Sequence, residues 1–397
     1  MPVRRMHPIL IAAGLVLVLA TCADESSPAP AAGLPGDPLP GLTRAELARF
    51  EAGKVAFSRV FLPEEGLGPV YNENSCNACH SVPDIGGTGG GEYDLHATAL
   101  TAEGECDLLE AHGGGNVRTQ VVPVAAALGV LPERTPRQAT ARGFFTAPPM
   151  WGRGMVEAIS DETLLALADP DDQDRDGISG RVGRDASGRV GRFRRKADVA
   201  DLADIAEGGV RVEIGLTTPK HPTELVFSGP IPEGADPAPD PELAQATIDA
   251  IADYIRFLAP VAPEVPSDPA VRAQVAAGRQ AFFEAACADC HLEALATGPN
   301  PVGALDRKVA ALWSDLLLHD MGPKLADVCG PAAAASELRT EPLAGMRYRR
   351  GYMHHGRAPT PWEAIAMHGG ESAASRDAFN ALPELTRYAL VAFLLTL

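Results

Sequence analysis

The residues of this 397-residue chain with the plainest chemistry are two copies of Cys-x-x-Cys-His, at 76–80 and 287–291. The residues concerned are Cys76, Cys79 and His80 in the first copy, and Cys287, Cys290 and His291 in the second. In this spacing the two thiols bond to the vinyl groups of haem, and the histidine becomes the proximal ligand of its iron. A zinc site would need two further thiol or imidazole ligands at regular spacing, and none follows either pair. The sequence therefore predicts two covalently bound c-type haems.

The first 43 residues predict export and a lipid anchor. Arg4 and Arg5 precede an apolar run, 9–20, that is too short to span a bilayer and is typical of a secretory signal. Residues 19–22 resemble a bacterial lipobox, in which the cysteine, here Cys22, becomes the lipidated first residue; plain cleavage is the alternative. We expect a signal peptide over 1–22, a flexible Pro- and Ala-rich tether over 23–43, and a periplasmic protein held to a bacterial membrane by its lipid.

Composition limits the class of partner. The formal net charge is −18, which argues against a nucleic acid as a partner. An acidic surface is compatible with a basic redox protein, although acidic surfaces also serve solubility alone. The hydrophobic content of 46% is ordinary for a globular protein.

A repeat predicts the elements that position the two haem motifs. Gly53-x-x-x-Phe57 precedes the first motif and Gly278-x-x-x-Phe282 precedes the second, each on a stretch with helical spacing of apolar residues. Each half also closes with a helical pattern, at 241–258 and 383–397. Helix, haem motif, ligand loop and closing helix is the order of a cytochrome c domain.

The predicted fold class is mainly α, with two cytochrome c-like domains in tandem. The Pro-rich segment 259–266 cannot continue a helix and marks the boundary between them. We place the first domain at 44–260 and the second at 268–397. The first is the larger because of a long irregular insertion, at about 100–240, rich in Gly, Pro and Asp.

Several further motifs carry a family resemblance. They are Glu-Gly-Leu-Gly-Pro at 65–69, the segment 72–80, Pro-Pro-Met-Trp-Gly at 148–152, Glu-Ala-Ile at 157–159, and the segments 176–181, 316–322 and 354–358. From about Phe50 to Leu397 the chain resembles the dihaem oxidoreductase family, described as peroxidases and also labelled thiol oxidoreductases. It is more distantly similar to bacterial dihaem cytochrome c peroxidases and to the methylamine-utilisation dihaem enzyme. The family usually has Asp where this chain has His355, which puts in doubt a proton-relay role at that position.

The distal ligand of the second haem has several candidates: Met321, Met353, Met367, His319, His354, His355 and His368. The resemblance to dihaem peroxidases implies His368, which lies fourteen residues after His354, the offset of the distal ligand in those enzymes. Its neighbour Met367 is an alternative, since those enzymes usually carry Met. In a third interpretation His368 only bonds a propionate or a backbone carbonyl.

For the first haem, the resemblance implies a displaceable distal ligand at His96, sixteen residues after His80 and beyond a Gly-rich turn. A surface histidine is the alternative interpretation of His96, and His112 is a lesser candidate.

Three residues are candidates for roles around the haems. Cleavage of a bound O–O bond needs a distal acid–base, and Glu157 is the candidate; its alternative is a structural carboxylate paired with an arginine. The resemblance implies an electron relay at Trp151, with a core aromatic as the alternative. Arg357 and the basic run 192–196 are candidates to neutralise haem propionates, although for the run we favour a solvated face.

An acidic loop predicts a calcium site. Asp172, Asp174 and Asp176 occupy positions one, three and five of an EF-hand-like loop with Gly177 at six. The twelfth position is Gly183 rather than Glu, so a complete EF-hand is excluded. Crowded carboxylates repel one another without a cation, which favours calcium over an exposed acidic turn.

Two cysteines remain outside the haem motifs and the lipobox-like segment. Cys106 and Cys329 lie one in each half, and in an oxidising compartment they are able to pair across the domains. Unpaired buried thiols are the alternative. A dithiol role in thiol oxidation has no Cys-x-x-Cys outside the haem motifs to support it.

The first functional hypothesis is a periplasmic dihaem oxidoreductase that reduces peroxide. Its second haem would accept electrons from a small electron-transfer protein and pass them to the first. The rival hypothesis is a non-catalytic dihaem cytochrome whose irons are both six-coordinate. A third is oxidation of an unknown substrate or of a tryptophan-derived cofactor on a partner protein. The spin state of the first iron separates the first two hypotheses.

Overall fold

The computed structural model describes residues 32–90, 93–227 and 229–397. The predicted signal peptide and Cys22 lie outside the described residues. Within these ranges, no helix has both the length and the apolar character needed to cross a membrane.

Helices make up most of the regular structure of the described residues. They are α1 (Arg44–Ser58), α2 (Cys76–Cys79), α3 (Pro123–Ala127), α4 (Arg153–Ala158), α5 (Asp161–Leu167), α6 (Leu202–Val212), α7 (Gln245–Phe257), α8 (Pro269–Glu284), α9 (Pro361–Met367), α10 (Ala373–Ala381) and α11 (Glu384–Leu394). The strands are β1 (Val70–Tyr71), β2 (Tyr93–Leu100), β3 (Cys106–Asp107), β4 (Gly115–Val117), β5 (Gln120–Val121), β6 (Ala141–Thr146), β7 (Gly183–Arg184), β8 (Val190–Gly191), β9 (Leu295–Ala296), β10 (Val309–Ala310), β11 (Leu318–Asp320) and β12 (Glu337–Arg339).

Two helix pairs explain the Gly-x-x-x-Phe repeat. α1 packs against α7 in the first half, and α8 packs against α11 in the second. A Cβ atom on Gly53 would lie 2.2 Å from the carbonyl oxygen of Ala250, and one on Gly278 would lie 1.9 Å from that of Ala389. The glycines therefore allow backbones to touch, and the phenylalanines one turn later are buried in the two cores.

The insertion of the first half is not irregular, and this part of the prediction is wrong. It contains an antiparallel sheet of order β3-β2-β4, with β6 also paired to β2. Helix α3 lies between strands β4 and β6 in the chain, and α4, α5 and α6 come after the last strand of the sheet. Leu95, Ala97 and Ala99 alternate with polar residues along β2, a period of two that predicts a strand and that the sequence analysis overlooked.

The two halves share contacts. The larger hydrophobic core is built mostly from the first half but includes residues of 295–316, and the smaller core surrounds α8, α9 and α11. A disulfide joins Cys106 to Cys329, with a Cα–Cα distance of 5.8 Å, which confirms the predicted pairing across the halves. The boundaries at 260 and 268 stay a prediction.

The tether predicted over 23–43 differs from the structure in its described part. Gly33 donates its backbone N–H to Pro260, and Leu39 is buried and donates to the carbonyl of Phe257. These residues pack on the segment that follows α7, because Leu39 supplies an apolar side chain to the larger core.

Candidate haem sites

The second haem motif opens onto a large cavity. The cavity has about 1320 Å³ of empty space, part of it open to solvent. Cys287, Cys290 and His291 all line it, and His368 lies on its wall. Most of the remaining wall is apolar, including Phe282 of the Gly-x-x-x-Phe repeat. The cavity therefore brings together the predicted attachment thiols, the proximal histidine and the favoured distal histidine.

His291 and His368 are both held by backbone carbonyls. Nδ1 of His291 lies 3.0 Å from the carbonyl oxygen of Trp313, and Nδ1 of His368 lies 2.8 Å from that of Ala364. Each bond leaves Nε2 of the ring available for a metal. The carbonyl bond predicted by the non-ligating interpretation of His368 is therefore present and is compatible with ligation. Met367, the other alternative, is not among the described residues that line the cavity.

Burial keeps both imidazoles neutral. It lowers the pKa of His291 to about 4, with the nearby His368 acting in the same direction. It also lowers the pKa of His368. A neutral imidazole is the form that binds a metal, so the residues present fit a haem iron held between two histidines.

The first haem motif lies on α2, and Ser75 caps the N-terminus of this helix. The Ser75 hydroxyl accepts a hydrogen bond from the backbone N–H of Ala78 at 3.1 Å. The His80 ring packs near Phe57, with 6.1 Å between ring centroids, and burial lowers its pKa to about 4. Burial also raises the pKa of the Cys76 thiol to about 12. The thiols and the proximal histidine thus lie on one short, capped helix.

His96 alternates with the apolar residues of β2 and is half-buried. Its ring stacks on Phe145 with 4.6 Å between centroids, and burial lowers its pKa to about 3. Both interpretations of His96, a distal ligand and a surface histidine, stay predictions. His112 is exposed.

Glu157 forms the ion pair that its structural interpretation predicts. One carboxylate oxygen lies 2.6 Å from Nε of Arg256, and the other accepts the backbone N–H of Leu202 at 2.9 Å. Both oxygens are thus engaged, so an acid–base role would require the Arg256 pair to open. That role is untested.

Trp151 is buried between the two halves. Its indole N–H donates to the carbonyl oxygen of Ala344 at 3.1 Å, and its ring meets Tyr348 edge to face. A Cβ atom on Gly345 would lie 2.6 Å from the indole, so that glycine lets the ring lie on the backbone. Trp151 is a core aromatic by its packing, and this location also suits a relay.

The arginines near the haem sites differ from the prediction. Arg357 is exposed, lies over the ring of Phe144, and is not among the described residues that line the cavity. In the run 192–196, by contrast, Arg192, Arg195 and Lys196 are buried at 7, 8 and 5% exposure, so the predicted solvated face is wrong. Arg195 lines the cavity.

Sequence reasoning missed a charged cluster around Glu341. The carboxylate of Glu341 forms ion pairs with Arg153, Arg195, Arg339 and Arg349. Burial opposes its ionisation, but these arginines outweigh burial and hold the pKa of Glu341 well below its usual range. Arg153 and Arg195 lie more than a hundred residues before Glu341, so no short window of sequence indicates such a site.

His319, one of the candidate ligands, is committed to carboxylates. Its Nε2 lies 2.8 Å from Asp315 and its Nδ1 lies 2.9 Å from Glu371, beside the Cys290 sulfur. Burial alone would lower its pKa, but hydrogen bonds with Asp315, Cys290 and Glu371 raise it to about 12. A protonated histidine is a poor iron ligand, which argues against His319 in that role.

The acidic loop brings its carboxylates together. Oxygens of Asp172, Asp174 and Asp176 lie within 4.8 Å of one another, and Asp172 accepts the backbone N–H of Gly177. Calcium there stays a prediction. A second acidic group of the described residues, not noted from the sequence, comprises Glu224, Asp236, Asp240 and Glu242.

Comparison with known proteins supports the haem assignment. A family model described as "Di-haem oxidoreductase, putative peroxidase" matches residues 137–397. No curated protein matches the sequence. The solved structures that match include hydrazine synthase of Kuenenia stuttgartiensis (14% identity, TM-score 0.42, covering 99% of this chain and 100% of that one). Others are a MauG-like protein associated with microbial copper homeostasis (15%, 0.39, 92% and 92%) and a variant of the dihaem peroxidase BthA from Burkholderia thailandensis (15%, 0.40, 88% and 85%). Likeness at this level carries no information on substrate.

Proposed function

The chain belongs to the di-haem oxidoreductase family, and we propose that it carries two covalently attached c-type haems and reduces peroxide. One observation carries the haem part of the proposal: the two thiols and the histidine of the second motif line one cavity together with His368. A haem supplies an iron that exchanges single electrons and, where an axial position is open, binds peroxide.

At the second site, the residues of the chain favour electron transfer over substrate chemistry. His291 and His368 would both be ligands of the iron, and carbonyls of Trp313 and Ala364 fix their ring orientation. Cys287 and Cys290 would fasten the porphyrin edge. A closed site of this kind exchanges electrons and excludes peroxide.

The first site is then the candidate for peroxide reduction. His80 would be its proximal ligand, and the half-buried His96 its displaceable distal ligand. Trp151, packed between the halves, is the proposed relay from the second site. The electron donor is a small redox protein, and we place the chain in the periplasm, attached to the membrane through a lipid on Cys22.

A specific observation favours the rival function as well. Both oxygens of Glu157 are engaged by Arg256 and by the backbone of Leu202, so the predicted acid–base is not free. A dihaem electron-transfer cytochrome needs no such group. We keep this function as the second candidate.

The deciding experiment measures haem content, spin state and peroxide consumption on the full chain. We expect a pyridine haemochrome with two haems per chain, a low-spin signal from the second haem, and a first haem that becomes high-spin in at least one redox state. The Cys76→Ala/Cys79→Ala variant should keep one low-spin haem and lose peroxide reduction. Two low-spin haems in every redox state, with no peroxide consumed, would assign the chain to the electron-transfer class.

We propose calcium as the ligand of the acidic loop. Oxygen ligands within 4.8 Å of one another suit a hard cation, and the loop leads into Ser179, which bonds Glu371 beside the second haem motif. Calcium should raise the melting temperature of the wild-type protein and leave that of an Asp174→Asn variant unchanged. An equal response of both proteins would exclude this loop as the site.

A further inference from the structure

A cluster of buried arginines beside the cavity of the second haem motif carries more positive charge than nearby carboxylates neutralise. The side chains of Arg153, Arg195, Arg339 and Arg349 are only 7, 9, 1 and 10% exposed. Among the described residues, Glu341 is the only carboxylate that forms an ion pair with any of them. Four positive charges therefore meet one negative charge in a region that excludes water.

Such a surplus is costly unless another anion joins it. Removing an ion from water costs several kcal/mol, and the cost is recovered only when an opposite charge lies close by. Burial is the main influence that lowers the pKa of Arg153, to about 10, and of Arg195, but both guanidinium groups stay protonated at neutral pH. The geometry thus indicates a binding site for negative charge.

The cluster faces the cavity of the second haem motif. Arg195, Arg339 and Arg349 line that cavity together with Cys287 and His291. Any anionic group of a molecule in the cavity has these guanidinium groups within its walls.

The arginines differ in whether all their N–H groups have an acceptor. Arg339 already donates to two backbone carbonyls and to Glu341. Arg349 donates to Glu341 at 3.1 Å and to the carbonyl of Pro342 at 3.0 Å, and its Nε–H is buried without a partner. An unpartnered buried donor on a charged group predicts a missing acceptor.

We propose that Arg349 and Arg195 bind the two propionates of the second haem, and that Glu341 is the positioning residue that holds both guanidinium groups. The proposal rests on the proposed function, because it assumes a haem attached at Cys287 and Cys290. Two propionates reduce the surplus from three positive charges to one. A planar guanidinium matches a carboxylate with two parallel hydrogen bonds.

The test is the midpoint potential of the second haem in the full chain. A buried cation favours the reduced iron, so Arg349→Gln and Arg195→Gln should each decrease the equilibrium constant for reduction about tenfold, or 59 mV for one electron. Arg349→Lys keeps the charge and should recover most of the change. Glu341→Gln should shift the potential in the opposite direction. Arg357→Gln, an exposed arginine outside the cavity, is the matched control and should leave the potential unchanged.

The outcomes separate this inference from the proposed function. A wild-type protein without haem on Cys287 and Cys290 refutes the proposed function itself. A normal second haem whose potential is the same in Arg195→Gln and in the Arg357→Gln control overturns the propionate assignment alone, even if the Arg349 variants do not accumulate. A wild-type potential that follows the chloride concentration would assign the cluster to a free anion and overturn the proposal too.

Discussion

Replacing Gly278 by alanine tests whether backbone contact between α8 and α11 sets the second haem domain. The added Cβ would lie 1.9 Å from the carbonyl oxygen of Ala389. Carbon and oxygen atoms pack no closer than about 3.3 Å, so the two helices would have to separate by roughly 1.4 Å. The atom in the way belongs to the backbone of a helix and cannot rotate aside.

The magnitude follows from two opposed effects. Overpacking of a tight core costs about 1–3 kcal/mol, and the rigid obstacle places this site at the upper end. Alanine regains about 1 kcal/mol of helix propensity over glycine. We therefore expect Gly278→Ala to lower the free energy of unfolding by about 2 kcal/mol and to loosen the cavity wall that Phe282 forms on the same helix.

The assay is chemical denaturation of the haem-loaded protein, followed by circular dichroism and by the absorbance of the second haem. Gly208→Ala on α6 is the matched control, because an added Cβ there has nothing within 4 Å. The control should be stabilised by about 0.5–1 kcal/mol. If Gly278→Ala were as stable as the control, the close approach of α8 and α11 would not be a determinant of this domain.

Three other predictions follow from the site and its crosslink. His368→Ala should convert the second haem from low-spin to high-spin in an electron paramagnetic resonance spectrum; an unchanged signal would exclude His368 as a ligand. The pKa of His319 rises from 6.5 to about 12 on folding, so its contribution to stability is complete below pH 6.5 and is lost as pH rises towards 12. The free energy of unfolding should therefore fall between these two pH values. It should fall less steeply in the His319→Gln variant. Replacing Cys106 and Cys329 together by serine should cost about 2–4 kcal/mol of unfolding free energy in non-reducing buffer, whereas wild-type protein that is equally stable with and without reductant would show that the crosslink contributes nothing.

Local patterns predicted the parts of this molecule that local chemistry determines. The Cys-x-x-Cys-His spacing is read directly from neighbouring residues. The Gly-x-x-x-Phe repeat predicted two helices, and the structure explains the glycine by a helix contact. The cysteine pair follows from counting the thiols left outside the haem motifs and the lipobox-like segment.

Most of the predictions that are wrong concern residues whose partners lie far away in the sequence. Arg195 and Lys196 have the sequence environment of a surface run, and contacts with Glu341, Asp327 and backbone carbonyls far away in the sequence make their burial tolerable. Glu157 likewise forms an ion pair with Arg256, which lies 99 residues further along the chain. Such pairings leave no trace within a short window of sequence. The sheet of the insertion is a different case, because its alternation was present and was overlooked.

Because ion pairs join the two halves, each redox centre is best studied in the intact chain. If the parts before and after 259–266 were produced as separate fragments, they would lack the Arg153–Glu341 and Arg195–Glu341 ion pairs and the Cys106–Cys329 disulfide, and the apolar residues of 295–316 that complete the larger core would be exposed to water. Fragments are therefore expected to aggregate. Deleting one pair of attachment thiols in the intact polypeptide is the sounder way to isolate one chromophore.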